Sequence, residues 1–150
     1  MTPARLVASG FCSGFAPVAP GTVGSLAALL LGAGLMTLSP WALPAAALAA
    51  CGGGVWAVAR ADALDDPGWV VIDEFAGQFI AMLCLARPTL RGLCAAFLLF
   101  RLVDVAKPGP VGWADRQRSA LGVMGDDILA GLITAGIIWA ARTRWPGLLD

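Results

Sequence analysis

Residues 6–59 read LVASGFCSGFAPVAPGTVGSLAALLLGAGLMTLSPWALPAAALAACGGGVWAVA, without one Asp, Glu, Lys or Arg. A soluble domain of 150 residues could not cover its surface with such a stretch. The same stretch is long enough for two bilayer crossings of ~20 residues each. Outward from it, the whole chain is 59% hydrophobic and 13% charged, against about 25% charged in a soluble domain. Its mean hydropathy is +0.80. The reading is one membrane-embedded domain spanning residues 1–150, all-α and polytopic.

Proline and glycine divide the chain. Residues 16–22 form a loop, followed by helices over residues 23–38, 41–60, 71–86, 90–106 and 126–142. That gives about four to five membrane helices. The third and fourth are short for full spans, so they are either shielded by neighbours or tilted into polar surroundings. Residues 7–15 form a possible short helix in the interface, where the Gly10/Gly14 step suggests close helix contact. Arg5 and the apolar run behind it loosely imitate a signal peptide. The basic region is thin, and Phe11 before Cys12 is too large for a lipoprotein-type cleavage site, so the segment is expected to stay. Cys12, Cys51, Cys84 and Cys94 form no CxxC pair and read as small apolar residues.

Alternating crossings place the Pro20 loop, residues 60–68 and residues 107–125 on one membrane side. The cations favour that side as cytoplasmic by six (Arg5, Arg60, Arg101, Lys107, Arg116, Arg118) to four (Arg87, Arg91, Arg142, Arg144). Trp41, Trp69, Trp113, Trp139 and Trp145 fall near expected helix ends, as an interfacial belt would. Zero formal net charge gives no footprint for nucleic acid.

The chain has no histidine. That removes histidine nucleophiles, Ser-His-Asp hydrolysis and His-based zinc sites. No phosphate loop, cysteine-phosphatase loop or aspartyl-phosphate motif is present. What remains is carboxylate chemistry. Asp73 and Glu74 interrupt an apolar run, Asp104 ends one, and Asp126 and Asp127 precede another. An ionisable group at the bilayer centre costs about 2.5–3.5 kcal/mol on insertion scales, so a cation, a metal or water access is expected beside these acids. Plainer readings stand next to this one. Either acid pair suits a helix start, and Asp104 suits an ion pair with Arg101 or Lys107. Convergence of all three at one membrane face favours a hard cation such as Mg²⁺. Pro20, Gly21, Thr22 and Ser25 open an uncharged helix and suit either a plain cap or a phosphate seat. Arg101 and Lys107 suit phosphate oxygens.

Taken in order, the blocks are Gly10-x-x-x-Gly14, Ala16-Pro17-x-Ala19-Pro20-Gly21-Thr22-x-Gly24-Ser25, Asp73-Glu74-x-x-Gly77, Phe100-Arg101-x-x-Asp104-x-x-Lys107-Pro108 and Gly125-Asp126-Asp127-x-x-Ala130-Gly131. This pattern resembles the phosphatidylglycerophosphatase A family over about residues 7–139. The resemblance departs at Ser119-Ala120-Leu121-Gly122, where the family tends to have a glycine pair. It implies a multihelical bacterial inner-membrane enzyme that hydrolyses phosphatidylglycerophosphate to phosphatidylglycerol and phosphate, with Mg²⁺. On that expectation Asp73, Glu74, Asp104 and Asp127 hold the metal, with Asp126 close by. The metal polarises the phosphoryl group and acidifies a water. Arg101 and Lys107 stabilise the phosphoryl oxygens, and Pro20, Gly21, Thr22 and Ser25 seat the head group. The catalytic set is then Asp73, Glu74, Asp104, Lys107, Asp126 and Asp127, facing the cytoplasm. A small ion- or proton-coupled transporter is the alternative, and it predicts acids on both sides of the midplane. A membrane anchor with structural acids predicts tolerance of their substitution. A CDP-alcohol phosphotransferase is disfavoured because its D-G-x-x-A-R…D-x-x-x-D pattern is missing.

Overall fold

Capping residues and prolines set the helix boundaries in the computed structural model, which describes residues 1–149. The elements are α1 (Pro3–Ala8), a 3₁₀ turn (Ser13–Phe15), α2 (Pro20–Leu38), α3 (Ala42–Arg60), α4 (Ile72–Met82), α5 (Leu90–Ala106), α6 (Pro110–Asp115) and α7 (Ala120–Arg144). No strand occurs among the described residues. Pro20 occupies the first turn of α2, where its fixed φ is preorganised for a helix. Thr89 caps α5 by accepting the Gly92 N–H at 3.1 Å, and α5 ends at Lys107 with φ 44°, just before Pro108. Ser119 caps α7 by accepting the Gly122 N–H at 3.0 Å.

Three helices are long and apolar enough to cross a bilayer: α2, α3 and α7. The count of four to five therefore resolves into three full spans and two shorter helices. The fourth helix has the expected bounds, with 17 residues. The third is only 11 residues long, about 16 Å at 1.5 Å per residue. It is shielded by neighbours, as the first of the two sequence options had it. Every residue of α4 except Glu74 is buried, and α2, α3, α5 and α7 all pack against it. The outer helices turn Leu30, Leu48, Leu98, Leu102 and Trp139 outward. Apolar side chains thus face the lipid while the buried acids face inward, as backbone and charge both require in a bilayer.

Several sequence expectations change. The short helix expected over residues 7–15 is instead the end of α1 and the separate 3₁₀ turn Ser13–Phe15. Gly10 and Gly14 do not form a helix–helix contact. Gly10 lies in the turn after α1 with φ +53°, and both glycines pack against the strand-like connector before α4 and its first turn, at Trp69, Val71 and Phe75. The close helix crossing is made instead by Gly77 of α4 and Gly131 of α7. A Cβ on Gly77 would meet the Asp127 carbonyl oxygen at 2.6 Å, and one on Gly131 would collide with the Gly77 carbonyl. Also, α7 starts at Ala120, not Asp126. The last helix is longer because Ser119, seven residues before Asp126, supplies the cap.

The chain alternates direction through the bundle. At the far end an Arg142 N–H donates to the Cys84 carbonyl at 2.5 Å, and the Thr89 hydroxyl donates to the Leu149 carbonyl at 2.5 Å. These bonds tie the end of α7 to the α4–α5 connection. The starts of α2, α4 and α7 and the end of α5 gather at the opposite end. Replacing Gly131 by Val is expected to push α4 from α7 and cost about 1–3 kcal/mol. Thermal unfolding in detergent checks this, with Gly136→Val, which meets open space, as the comparison.

Candidate active site

Three helices, α4, α5 and α7, deliver the acids to one place. The residue before α4, Val71, donates its N–H to the Ala8 carbonyl at 2.9 Å. This fixes where α4 begins, and with it Asp73 and Glu74 in the first turn. Asp104 is in the last turn of α5. Asp126 and Asp127 lie about two turns into α7, so they are not its cap. The aspartates are only 3–8% exposed: Asp73 7%, Asp104 8%, Asp126 5% and Asp127 3%.

One carboxylate oxygen each from Asp73, Glu74 and Asp127 lies within 4.8 Å of the others, and the same holds for Asp104, Asp126 and Asp127. Asp127 belongs to both trios. Local bonds set the side chains. Asp73 Oδ1 accepts the Glu74 N–H at 3.0 Å, and Asp126 Oδ1 accepts the Asp127 N–H at 2.9 Å. Two oxygens, Glu74 Oε2 and Asp127 Oδ2, are buried without a hydrogen-bond partner. Buried carboxylates so close together repel one another strongly at low dielectric. Hard oxygen donors, crowded, buried and partly unpartnered, fit a divalent cation such as Mg²⁺.

Two cations flank the acids. An Arg101 guanidinium nitrogen is 2.7 Å from Asp104 Oδ2 and 3.9 Å from Glu74 Oε1. It also donates to Ser25 Oγ at 3.4 Å. Lys107 Nζ is 2.7 Å from Asp126 Oδ2 and also pairs with Asp115. The sequence option of an Asp104–Arg101 pair is therefore met, while Lys107 turns to α6 and α7. Burial alone would lower the Lys107 pKa, but its bonds to Asp115 and Asp126 outweigh that and raise it.

A cavity of about 380 Å³ opens onto the cluster. Asp73, Glu74, Asp104, Lys107, Asp126 and Asp127 all line it, as do Pro20 and Gly21. A Cβ on Gly21 would press on Glu74 Oε1, so the glycine leaves that carboxylate its place at the cavity. The other two residues of the expected head-group seat lie elsewhere. Thr22 is exposed and does not line the cavity. Ser25 is buried behind it, donating to the Gly21 carbonyl at 2.9 Å and steadying Arg101. Residues 20–25 are the first turn of α2 rather than a loop before it.

Sequence reasoning passed over Asp66 and Asp115. Asp66 lines the cavity and a second polar one of about 480 Å³, which it shares with Asp65, Asp115, Arg118 and Asp126. Desolvation on its cavity side, with the charge of Asp126 behind it, raises the Asp66 pKa. The available signal was an acidic turn just before Asp73 on the same membrane side. Asp115 sits in α6, inside the connector where the sequence pattern is least regular.

Lys107 links α5, α6 and α7 through acids, so Lys107→Met is expected to lower both stability and phosphatase activity. Removing one member of a buried pair costs up to about 3–5 kcal/mol, and the partial exposure of Lys107 reduces that figure. Because its pKa is raised in the fold, this stabilisation is complete below the unfolded lysine pKa of about 10.4 and is lost only as pH rises beyond it. Unfolding of wild type and variant between neutral and alkaline pH measures the difference, which should narrow only in the alkaline range.

Comparison with known proteins finds relatives along nearly the whole chain. The family model described as "Phosphatidylglycerophosphatase A" matches residues 6–142. The phosphatidylglycerophosphatase A of Escherichia coli strain K12 is 40% identical, over 99% of this chain and 89% of its own. That of Haemophilus influenzae is 35% identical, over 95% of this chain and 90% of its own. A Bacteroides thetaiotaomicron protein, provisionally named a phosphatidylinositol-3-phosphatase, is 36% identical over 91% of this chain and 92% of its own. No solved structure matches. With the family model matching residues 6–142 and two phosphatidylglycerophosphatases A 35–40% identical over nearly the whole chain, the chain belongs to the phosphatidylglycerophosphatase A family and is a phosphatase.

Proposed function

We propose that this enzyme hydrolyses phosphatidylglycerophosphate to phosphatidylglycerol and phosphate, using Mg²⁺ held by Asp73, Glu74, Asp104 and Asp127, at the cytoplasmic face of a bacterial inner membrane. The observation that carries the reading is the pair of acid trios sharing Asp127, with two buried oxygens left without a partner. When bound, Mg²⁺ would neutralise phosphoryl charge and acidify a water. The chain supplies the rest. Lys107 at the cavity, and Arg101 beside Asp104 and Glu74, hold positive charge where equatorial phosphoryl oxygens gain negative character. Asp126 and Asp115 keep the Lys107 ammonium in place. Gly21 leaves the head group room beside Glu74. The apolar outer faces of α2, α5 and α7 keep the acyl chains in lipid while the phosphate end reaches the acids.

A transporter would place acids along the spans and on both sides of the midplane. Here they gather at one end of the bundle, which supports the hydrolase reading. The positive-inside bias supports the cytoplasmic orientation.

Purified protein in detergent is expected to release phosphate from phosphatidylglycerophosphate with Mg²⁺ and to stop with EDTA. Asp127→Asn should lower turnover by about 10²–10³-fold, the scale of losing a principal electrostatic group, with unfolding temperature kept. Faster release from phosphatidylinositol 3-phosphate would reassign the head group, and full activity in EDTA would remove the metal.

A further inference from the structure

The proposed chemistry uses Arg101 and Lys107 but leaves a third cation of the same membrane side unused. Arg5, on α1, is exposed. Its guanidinium carbon lies 5.0 Å from the Trp69 ring centroid and 5.8 Å from that of Phe15. Those two rings stack at 6.1 Å with an interplanar angle of 24°. A guanidinium held beside aromatic rings keeps its N–H donors, five in a fixed fork, available to an anion. Among the described residues those donors meet neither a carboxylate nor a hydrogen-bond acceptor. A guanidinium so held, with a free fork, is preorganised for a phosphate, which it binds bidentately.

Its position narrows which phosphate. Trp69 lies between Gly68 and Val70, both of which line the acid cavity. Phe11, Phe15 and Val18 are exposed on the neighbouring turn, giving this flank an apolar, aromatic character suited to the membrane interface. A second cavity, lined by Asp65, Asp66, Asp115 and Arg118, is polar and suited to water. Resting on the substrate reading above, a phosphatidylglycerophosphate head group presents two anions joined by a glycerol. The terminal monoester belongs at the acids, and the internal phosphodiester lies towards the acyl chains. We propose that Arg5, held by Phe15 and Trp69, binds the phosphodiester of the lipid head group and so makes the enzyme select glycerophospholipids that carry one.

Two inhibitors separate the subsites. Phosphatidylglycerol keeps the diester and lacks the monoester, whereas inorganic phosphate resembles the monoester alone. Wild type, Arg5→Gln, Arg5→Lys and Arg118→Gln are compared in uncharged detergent micelles, with Mg²⁺ and phosphatidylglycerophosphate as substrate. The uncharged micelle removes general attraction to an anionic surface. Arg5→Gln is expected to weaken inhibition by phosphatidylglycerol and to raise KM, each roughly tenfold, the scale of one charged hydrogen-bonding contact. Inhibition by inorganic phosphate, kcat and unfolding temperature should stay within about twofold or a few degrees. Arg5→Lys keeps the charge without the planar fork and should fall between; it serves as the test if the Gln variant fails to fold. Unchanged phosphatidylglycerol inhibition, equal loss with both inhibitors, or a selective loss in Arg118→Gln instead would each overturn the proposal. Absence of wild-type turnover would overturn the substrate reading and this proposal with it, whereas normal wild-type turnover with an unaffected Arg5→Gln overturns only the latter.

Discussion

Mutual repulsion among Asp73, Glu74, Asp104, Asp126 and Asp127 is the constraint on which the rest of this structure depends. Each acid alone would be costly at membrane depth, and together they raise that cost. The fold answers in three ways. It gathers them at one end of the bundle, it sets Arg101 against Asp104 and Glu74 and Lys107 against Asp126, and it leaves a cavity beside them. The unpartnered oxygens of Glu74 and Asp127 show that the two cations do not complete the charge pairing. A site so composed suits a hard cation and an anionic substrate arriving together, each offsetting charge the other leaves.

The short α4 makes this arrangement possible. A full-length span there would carry Asp73 and Glu74 out to the headgroup level. An 11-residue helix, enclosed on all sides, holds them within the bundle. Enclosure requires close approach, and Gly77 against Gly131 provides it at the point where α7 passes behind the acids. The carbonyl of Asp127 itself touches this crossing, so packing of the two helices and placement of the shared acid are one geometric problem. The connector ahead of α4 is held to α1 by Val71. The N-terminal segment therefore helps set the depth of the acids, and it also holds Arg5 beside Phe15 and Trp69.

The bundle also distributes polarity between its two flanks. Exposed apolar side chains cover the outer faces of the long helices and the turn after α1. Acidic and basic side chains concentrate around Asp66, Asp115 and Arg118. A lipid phosphatase needs both, because its substrate is bound to the bilayer while its water and phosphate exchange with solvent. The shared edge of the two environments is the acid cluster.

The sequence by itself determined the membrane class, from an uncharged run that no soluble surface could accept, and the carboxylate chemistry, from acids placed against apolar sequence in a chain without histidine. Helix boundaries with a strong local signal, such as Thr89 and Pro108 around α5, were also legible, because capping and proline act within a few residues. The family pattern followed from those same blocks. Tertiary structure decided what depends on distance. The sequence placed Asp126 and Asp127 at a helix start, but the Ser119 cap moved the helix back and left them inside it. Thr22 and Ser25 looked equivalent in a glycine-containing stretch, yet helical rotation turned one outward and buried the other. Asp66 and Asp115 read as turn and connector acids until the bundle brought them beside Lys107 and the cavity. Periodicity and capping are local properties that a sequence carries openly, whereas which side chains share a cavity is fixed by crossings such as Gly77 on Gly131, where residues far apart in the chain meet.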